Sequence, residues 1–151
     1  MTRALSILLA VFALTFAACD NPVAVTTDHL EAVEVVVRDA AGVELARTSE
    51  NERWTGPAAT GLTIDAGARL DLRISFTTLD GREVRLSEQP NLTLRVESEA
   101  DGFIVHEPLN ERDRLHGLRP GTTSLRFLAW HGAHPDFVSP PLPITIRPPS
   151  P

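Results

Sequence analysis

The sequence contains no lysine and no tyrosine, and only one cysteine, one methionine and two tryptophans in 151 residues. A single cysteine excludes an intramolecular disulfide framework and every zinc or iron–sulfur site built on several thiolates. Without tyrosine, an aromatic platform for stacking sugars or bases is poorly supplied. Positive charge is scarce as well. All 14 basic residues are arginine, and they face 20 acidic ones, for a net charge of −6. Nucleic-acid binders need a basic face to release counterions from phosphate, so this balance argues against them. Also lacking is any sustained apolar stripe of 3.6-residue period, and 12 prolines with 9 glycines are too many for a helical bundle of this size. What remains is a globular composition, 42% hydrophobic and 23% charged, long enough for one domain and a targeting segment.

The first 19 residues, MTRALSILLAVFALTFAAC, carry one positive charge at Arg3 and then an uncharged apolar stretch from Ala4 to Ala18. That stretch is too short for a confident membrane span and matches the h-region of a secretory signal. Two small residues, Ala17 and Ala18, stand directly before Cys19, the only cysteine. This arrangement resembles the bacterial lipoprotein signal. The resemblance implies cleavage after Ala18, acylation of Cys19 and a membrane anchor of several acyl chains, which holds stably where one chain would not. A plain secretory signal with a free N-terminal thiol at Cys19 is the alternative. Asp20 follows the cysteine, and in that family an acidic residue there tends to keep the protein at the inner membrane. The implied location is the cell envelope, facing the periplasm, with the choice between inner and outer membrane open. An acidic domain is repelled by anionic lipid, so the acyl chains and not the protein surface would hold it there.

After a polar tether, strand signals run to the end. In ARLDLRISF, Leu70, Leu72, Ile74 and Phe76 alternate with Asp71, Arg73 and Ser75. Asp80-Gly81 marks a hairpin, and Leu92, Leu94 and Val96 repeat the alternation. Leu125 and Phe127, then Leu142, Ile144 and Ile146, are expected inward. Pro140, Pro141 and Pro143 suggest that the last strand lies at a sheet edge. About seven or eight short strands at such spacing predict an all-β fold, an immunoglobulin-like antiparallel β-sandwich after an N-terminal signal helix. The expected organisation is signal peptide 1–18, lipidated cysteine and tether 19–29, sandwich 30–148 and a proline-rich tail 149–151. Residues 58–147 resemble bacterial immunoglobulin-like domains of group 2. The shared features are Gly67 before a core strand, the Asp80-Gly81 hairpin and the run Gly117 to Thr122. The resemblance implies an adhesive or modular surface role and brings no catalytic residues with it. This chain departs from the family by carrying one such domain and a long inserted stretch at 49–60.

Five histidines carry most of the available chemistry. His131, His134 and Asp136 share the run WHGAHPDF, where two imidazoles and a carboxylate can make half of a metal site. If neighbouring strands alternate in direction, the connection 107–113 returns to the same pole as loop 131–140. His106 would then join His131 and His134, with Asp136, Glu107 or Asp113 as oxygen ligands, and His116 within reach of a cupped pole. The pole of His29 is undetermined from sequence. Zinc or copper is the cofactor such a set would take. Solvated or structural histidines are the competing reading.

Catalysis lacks a constellation. There is no Gly-x-Ser-x-Gly elbow, and Glu97 and Glu99 lie two apart on a strand, as on a solvated face. Trp54 and Trp130 are expected to cap the ends of the sandwich. The primary expectation is therefore a non-enzymatic envelope interaction module. It would be bound to the membrane through Cys19 and contact another envelope protein or a surface polymer. The alternative is an envelope metal-binding protein built on His106, His131, His134, Asp136 and His116.

Overall fold

A computed structural model describes residues 29–48 and 52–149. The expected signal peptide, Cys19 and the expected tether up to residue 28, together with the last two residues, lie outside the described residues. Among the described residues, no helix is long and apolar enough to cross a membrane.

Twelve strands form two facing sheets, in chain order β1 (Ala32–Asp39), β2 (Glu44–Thr48), β3 (Trp54–Thr55) and β4 (Leu62–Asp65). Next come β5 (Arg69–Thr78), β6 (Glu83–Val84), β7 (Leu92–Ser98) and β8 (Ile104–Pro108). The last four are β9 (Asp113–Gly117), β10 (Gly121–His131), β11 (His134–Val138) and β12 (Leu142–Arg147). One sheet has the order β3-β2-β1-β5-β9-β8, with β6 also paired to β5. The other has the order β11-β10-β12-β4, with β7 also paired to β10. Strands β5, β9 and β8 thus take the B, E and D places of an immunoglobulin-like sandwich, and β7, β10 and β12 take C, F and G. The hairpin β1–β2 extends the first sheet beyond β5. All ladders are antiparallel except β12–β4, which runs parallel.

The strands form where the sequence alternates. Leu72, Ile74 and Phe76 on β5 are buried, as are Leu125 and Phe127 on β10 and Leu142, Ile144 and Ile146 on β12. Between the sheets, Phe76 meets Phe137 edge-on at 5.5 Å and Trp54 meets Phe127 at 6.0 Å. Trp54 also donates its indole N–H to the Pro140 carbonyl, at 3.1 Å, and so closes one flank of the core as expected. The count exceeds the expected seven or eight because β3, β4, β9 and β11, of two to five residues, are too short to leave a clear periodic signal. The edge assignment for the last strand needs correction. Strand β12 lies between β10 and β4. Pairing with β4 starts at Ile144, one residue beyond Pro143, so the proline falls outside the parallel ladder.

Two glycines show why the turn motif before β10 has its form. A Cβ on Gly117 would lie 2.8 Å from the Asp65 carbonyl oxygen, so a side chain there would push β9 off β4. Gly121, at φ +146°, faces the Phe103 ring, and a Cβ there would clash at 2.3 Å.

On the outer face of the first sheet, arginine forks meet carboxylates. Arg114 holds Asp71 through Nε and a second nitrogen at 2.6 and 3.1 Å, and Arg47 bridges Glu34 and Glu44. Arg38 grips Glu83 with two nitrogens. Such bidentate geometry is available to guanidinium and not to ammonium, which gives the all-arginine composition a structural use. Hydrogen bonds from Arg114 hold Asp71 below the ordinary carboxylate range, and those from Arg47 and Arg38 do the same for Glu44 and Glu83. A depressed folded-state pKa adds stability above the unfolded value and loses it as pH falls through the folded one. Thermal unfolding temperature is therefore expected to hold from pH 7 to about 5 and to decline below about 4. Because these pairs are partly exposed, 0.5 M salt should flatten the decline, scanned by circular dichroism. A temperature unchanged to pH 2.5 would refute the assignment.

Candidate metal centre

The β10–β11 hairpin closes through Gly132 and Ala133, with His131 directly opposite His134 in the register. The two imidazoles therefore stand on one face of the hairpin. Pairing slips after them, because Trp130 faces Pro135 while Ala129 faces Phe137. Asp136 is left without an opposite residue, at a β-bulge. A bulge re-aims the side chain it carries, and here the Asp136 carboxylate turns under the hairpin, with its side chain only 3% exposed.

The fourth residue comes from the other sheet. His29 lies just before β1, and its Nδ1–H donates to Asp136 Oδ1 at 2.9 Å. The amide of Leu30 donates to Asp136 Oδ2 at 2.8 Å. His134 Nδ1 lies 3.5 Å from Oδ1, and His131 Nδ1 lies 3.9 Å from Oδ2. The rings pack on one another: His29 stacks on His134 at 5.3 Å and meets His131 edge-on at 5.0 Å. One ligand atom from each of His29, His131, His134 and Asp136 lies within 4.8 Å of the other three.

Burial pushes the Asp136 carboxyl up, but the hydrogen bonds from His29 and the Leu30 amide outweigh it and hold the group below the ordinary carboxylate range. The site thus presents a fixed negative charge beneath three imidazoles. His131 Nδ1 is buried and has no hydrogen-bond partner. An orphaned buried ring nitrogen is costly unless something satisfies it.

A tetrahedral zinc with bonds of about 2.0–2.1 Å places its ligand atoms about 3.3 Å apart. The 2.9 and 3.5 Å spacings bracket that value and the rest of the ligand atoms lie within 4.8 Å, so an ion would have to draw the side chains closer together. Three imidazoles and one carboxylate suit zinc, copper or nickel. Calcium and magnesium need more oxygens than the cluster supplies.

The sequence-predicted residues divide here. The structure brings His131, His134 and Asp136 together and adds His29, whose pole the sequence left open. It does not bring in His106 or His116. His106 Nε2 bonds Asp113 at 2.9 Å, and His116 Nε2 bonds Glu107 at 2.9 Å, both on the β8–β9 hairpin. The reason is reach. Asp113 faces Leu72 on β5, whereas the cluster lies beyond Thr78, the partner of Ala32. Six residues of strand, about 20 Å, separate those levels. The 107–113 connection does point toward the correct pole, but it stops well short of it. Glu107 and Asp113 are likewise not ligands of this cluster. Trp130 flanks the hairpin, donating to the Gly132 carbonyl at 2.9 Å beneath the Arg95 guanidinium, which lies 3.6 Å from the ring centroid.

No protein-family model matches this chain, and no curated protein matches it. Among solved structures, domains 4 and 5 of the S-layer protein SbsC are similar at a TM-score of 0.43 and 13% identity. That match covers 58% of this chain and 47% of the other, so the chain spans about half the length of that neighbour.

Proposed function

We propose that this protein is an envelope lipoprotein, anchored through Cys19, whose immunoglobulin-like domain of the bacterial group 2 kind binds one divalent transition-metal ion. The ligands are His29, His131, His134 and Asp136, and the ion is Zn²⁺ or Cu²⁺. The observation that carries this reading is the convergence of four ligand atoms from two sheets within 4.8 Å of one another. The buried, unsatisfied Nδ1 of His131 supports it. The likeness of residues 1–19 to a lipoprotein signal supports the anchor. The role is binding and not catalysis, and it would serve to buffer the ion or hand it on.

Structural zinc sites release about 10–16 kcal/mol over four ligands, so each ligand is worth several kcal/mol, or roughly a hundredfold or more in affinity. Calorimetric titration of the full chain in detergent at pH 7.5 is expected to show one equivalent of Zn²⁺ bound at about 1 µM or tighter. The double variant His131→Ala/His134→Ala is expected to bind at least a thousandfold more weakly, as roughly the product of two ligand losses. No heat, or heat unchanged in the variant, would overturn the metal reading. It would leave an envelope interaction module, to which Leu79, Val33 and Val138 offer exposed apolar side chains, 74%, 43% and 46% accessible. They line one cleft of about 600 Å³ beside Asp136.

A further inference from the structure

The four ligands are unevenly distributed along the chain. Three come from one hairpin of the second sheet, and the fourth, His29, comes from the segment that leads into β1 of the first. That segment reaches the rest of the domain through a few hydrogen bonds, one of them from His29 itself to Asp136. The Leu30 amide bonds Asp136, and the Glu31 carbonyl accepts from the Leu79 amide at 3.0 Å. Leu30 is buried, but the His29 side chain is 57% exposed. Residue 29 is also where the tether from Cys19 enters the domain.

Resting on the metal reading above, we propose that the ion acts as a staple. By taking His29 together with His131, His134 and Asp136, it locks the entry segment 29–31 onto the β10–β11 hairpin and ties the two sheets at that pole. Metal occupancy thereby becomes a switch between a hydrogen-bonded and a metal-linked junction of tether and domain. The geometry supports this because Asp136 already joins the two parts. Its Oδ1 accepts from His29 and its Oδ2 from Leu30, so an ion at the cluster would replace the His29–Asp136 hydrogen bond with coordination bonds along a seam that exists without it. Where Cys19 carries the anchor, the ten-residue span from Cys19 to His29 reaches at most about 35 Å.

Hydrogen–deuterium exchange on the full chain in detergent, with and without Zn²⁺ alone, tests the staple. In the wild type, Zn²⁺ is expected to slow exchange in peptides covering residues 29–33 by about tenfold or more, as local opening becomes coupled to loss of the ion. His29→Ala, an exposed position that should not disturb the fold, is expected to bind Zn²⁺ at least about a hundredfold more weakly, as for loss of one of four ligands, and to show no such slowing at saturating metal. If the wild type binds one equivalent and exchange over 29–33 is unchanged, the staple is overturned and a site confined to the hairpin stands. Equal affinity and equal protection in His29→Ala would overturn it too. If the wild type binds no Zn²⁺, the metal reading itself fails, and the staple falls with it.

Discussion

Truncating Phe127 to alanine is expected to cost about 3–5 kcal/mol of folding free energy, the range for a fully buried phenylalanine that leaves a cavity. Phe127 is fully buried at the centre of β10, opposite Val96 on β7. Its ring meets Trp54, which reaches across from the first sheet. Its backbone is also engaged. The amide donates to Ser139 Oγ at 2.9 Å, and its carbonyl accepts from the Ser139 amide at 3.0 Å. The cavity would open where the two sheets and the β11–β12 connection meet, and three rigid ladders would resist its collapse. A domain of ordinary stability, about 5–15 kcal/mol, would lose from about a fifth of its margin to all of it. Urea unfolding of Phe127→Ala should show a lower midpoint at an unchanged slope. Phe127→Leu keeps most of the volume and should cost less than about 2 kcal/mol. An alanine variant within about 1 kcal/mol of wild type would mean that this position does not lie at the centre of the core.

Phe127 was legible from sequence because it sits in TSLRFLA, where Ser124, Leu125, Arg126 and Phe127 alternate before the apolar Leu128 and Ala129 break the pattern. The same holds for Leu72, Ile74 and Phe76, and for Leu142, Ile144 and Ile146, all buried where alternation placed them. Turns were legible for a different reason. Gly81, at φ +81°, adopts a conformation that few residues other than glycine tolerate, so Asp80-Gly81 announces itself. Long-range pairing was not legible. Nothing local in EVVVRD states that β1 pairs with β5, about forty residues away, with Ala32 opposite Thr78. That one pairing decides where His29 lies.

The metal cluster shows the same division within a few residues. His131, His134 and Asp136 could be read as a group because one hairpin carries all three. Their common face could not be derived from parity alone, since the bulge at Asp136 breaks the period-2 rule at the point where the carboxylate must turn inward. His106 and His116 were plausible partners by direction of travel and fail by distance along β5, a length set by how far β9 pairs up that strand. Sequence alternation shows which way a strand faces. It does not show how far a neighbouring strand accompanies it.

Asp136 is where fold and chemistry meet, and Asp136→Ala is expected to damage both. The carboxylate accepts from the Leu30 amide and from His29, and its side chain is almost wholly buried. Removing it leaves a buried amide without an acceptor, which costs about 1–3 kcal/mol. For a chain of this length that lowers the melting temperature by roughly 3–5 °C for each kcal/mol. The same change removes the only negative ligand from the cluster, and Zn²⁺ affinity should fall at least a hundredfold, by the per-ligand share of a structural site. Asp136→Asn separates the two effects. An amide oxygen can still accept from Leu30, so the melting temperature should stay close to wild type, within about 1 kcal/mol of its stability. The substituted amide nonetheless brings no charge to an ion held otherwise by three neutral imidazoles, and its Zn²⁺ affinity should remain near that of the alanine variant. If Asp136→Asn bound metal as tightly as the wild-type carboxylate, the aspartate would serve the fold alone. An alanine variant with unchanged melting and unchanged affinity would show that the contact between the entry segment and the hairpin carries neither. The expected pattern, melting temperature rescued by asparagine and affinity not, requires one carboxylate to do both things: to bind the chain's entry segment by hydrogen bonds and to hold a cation by charge.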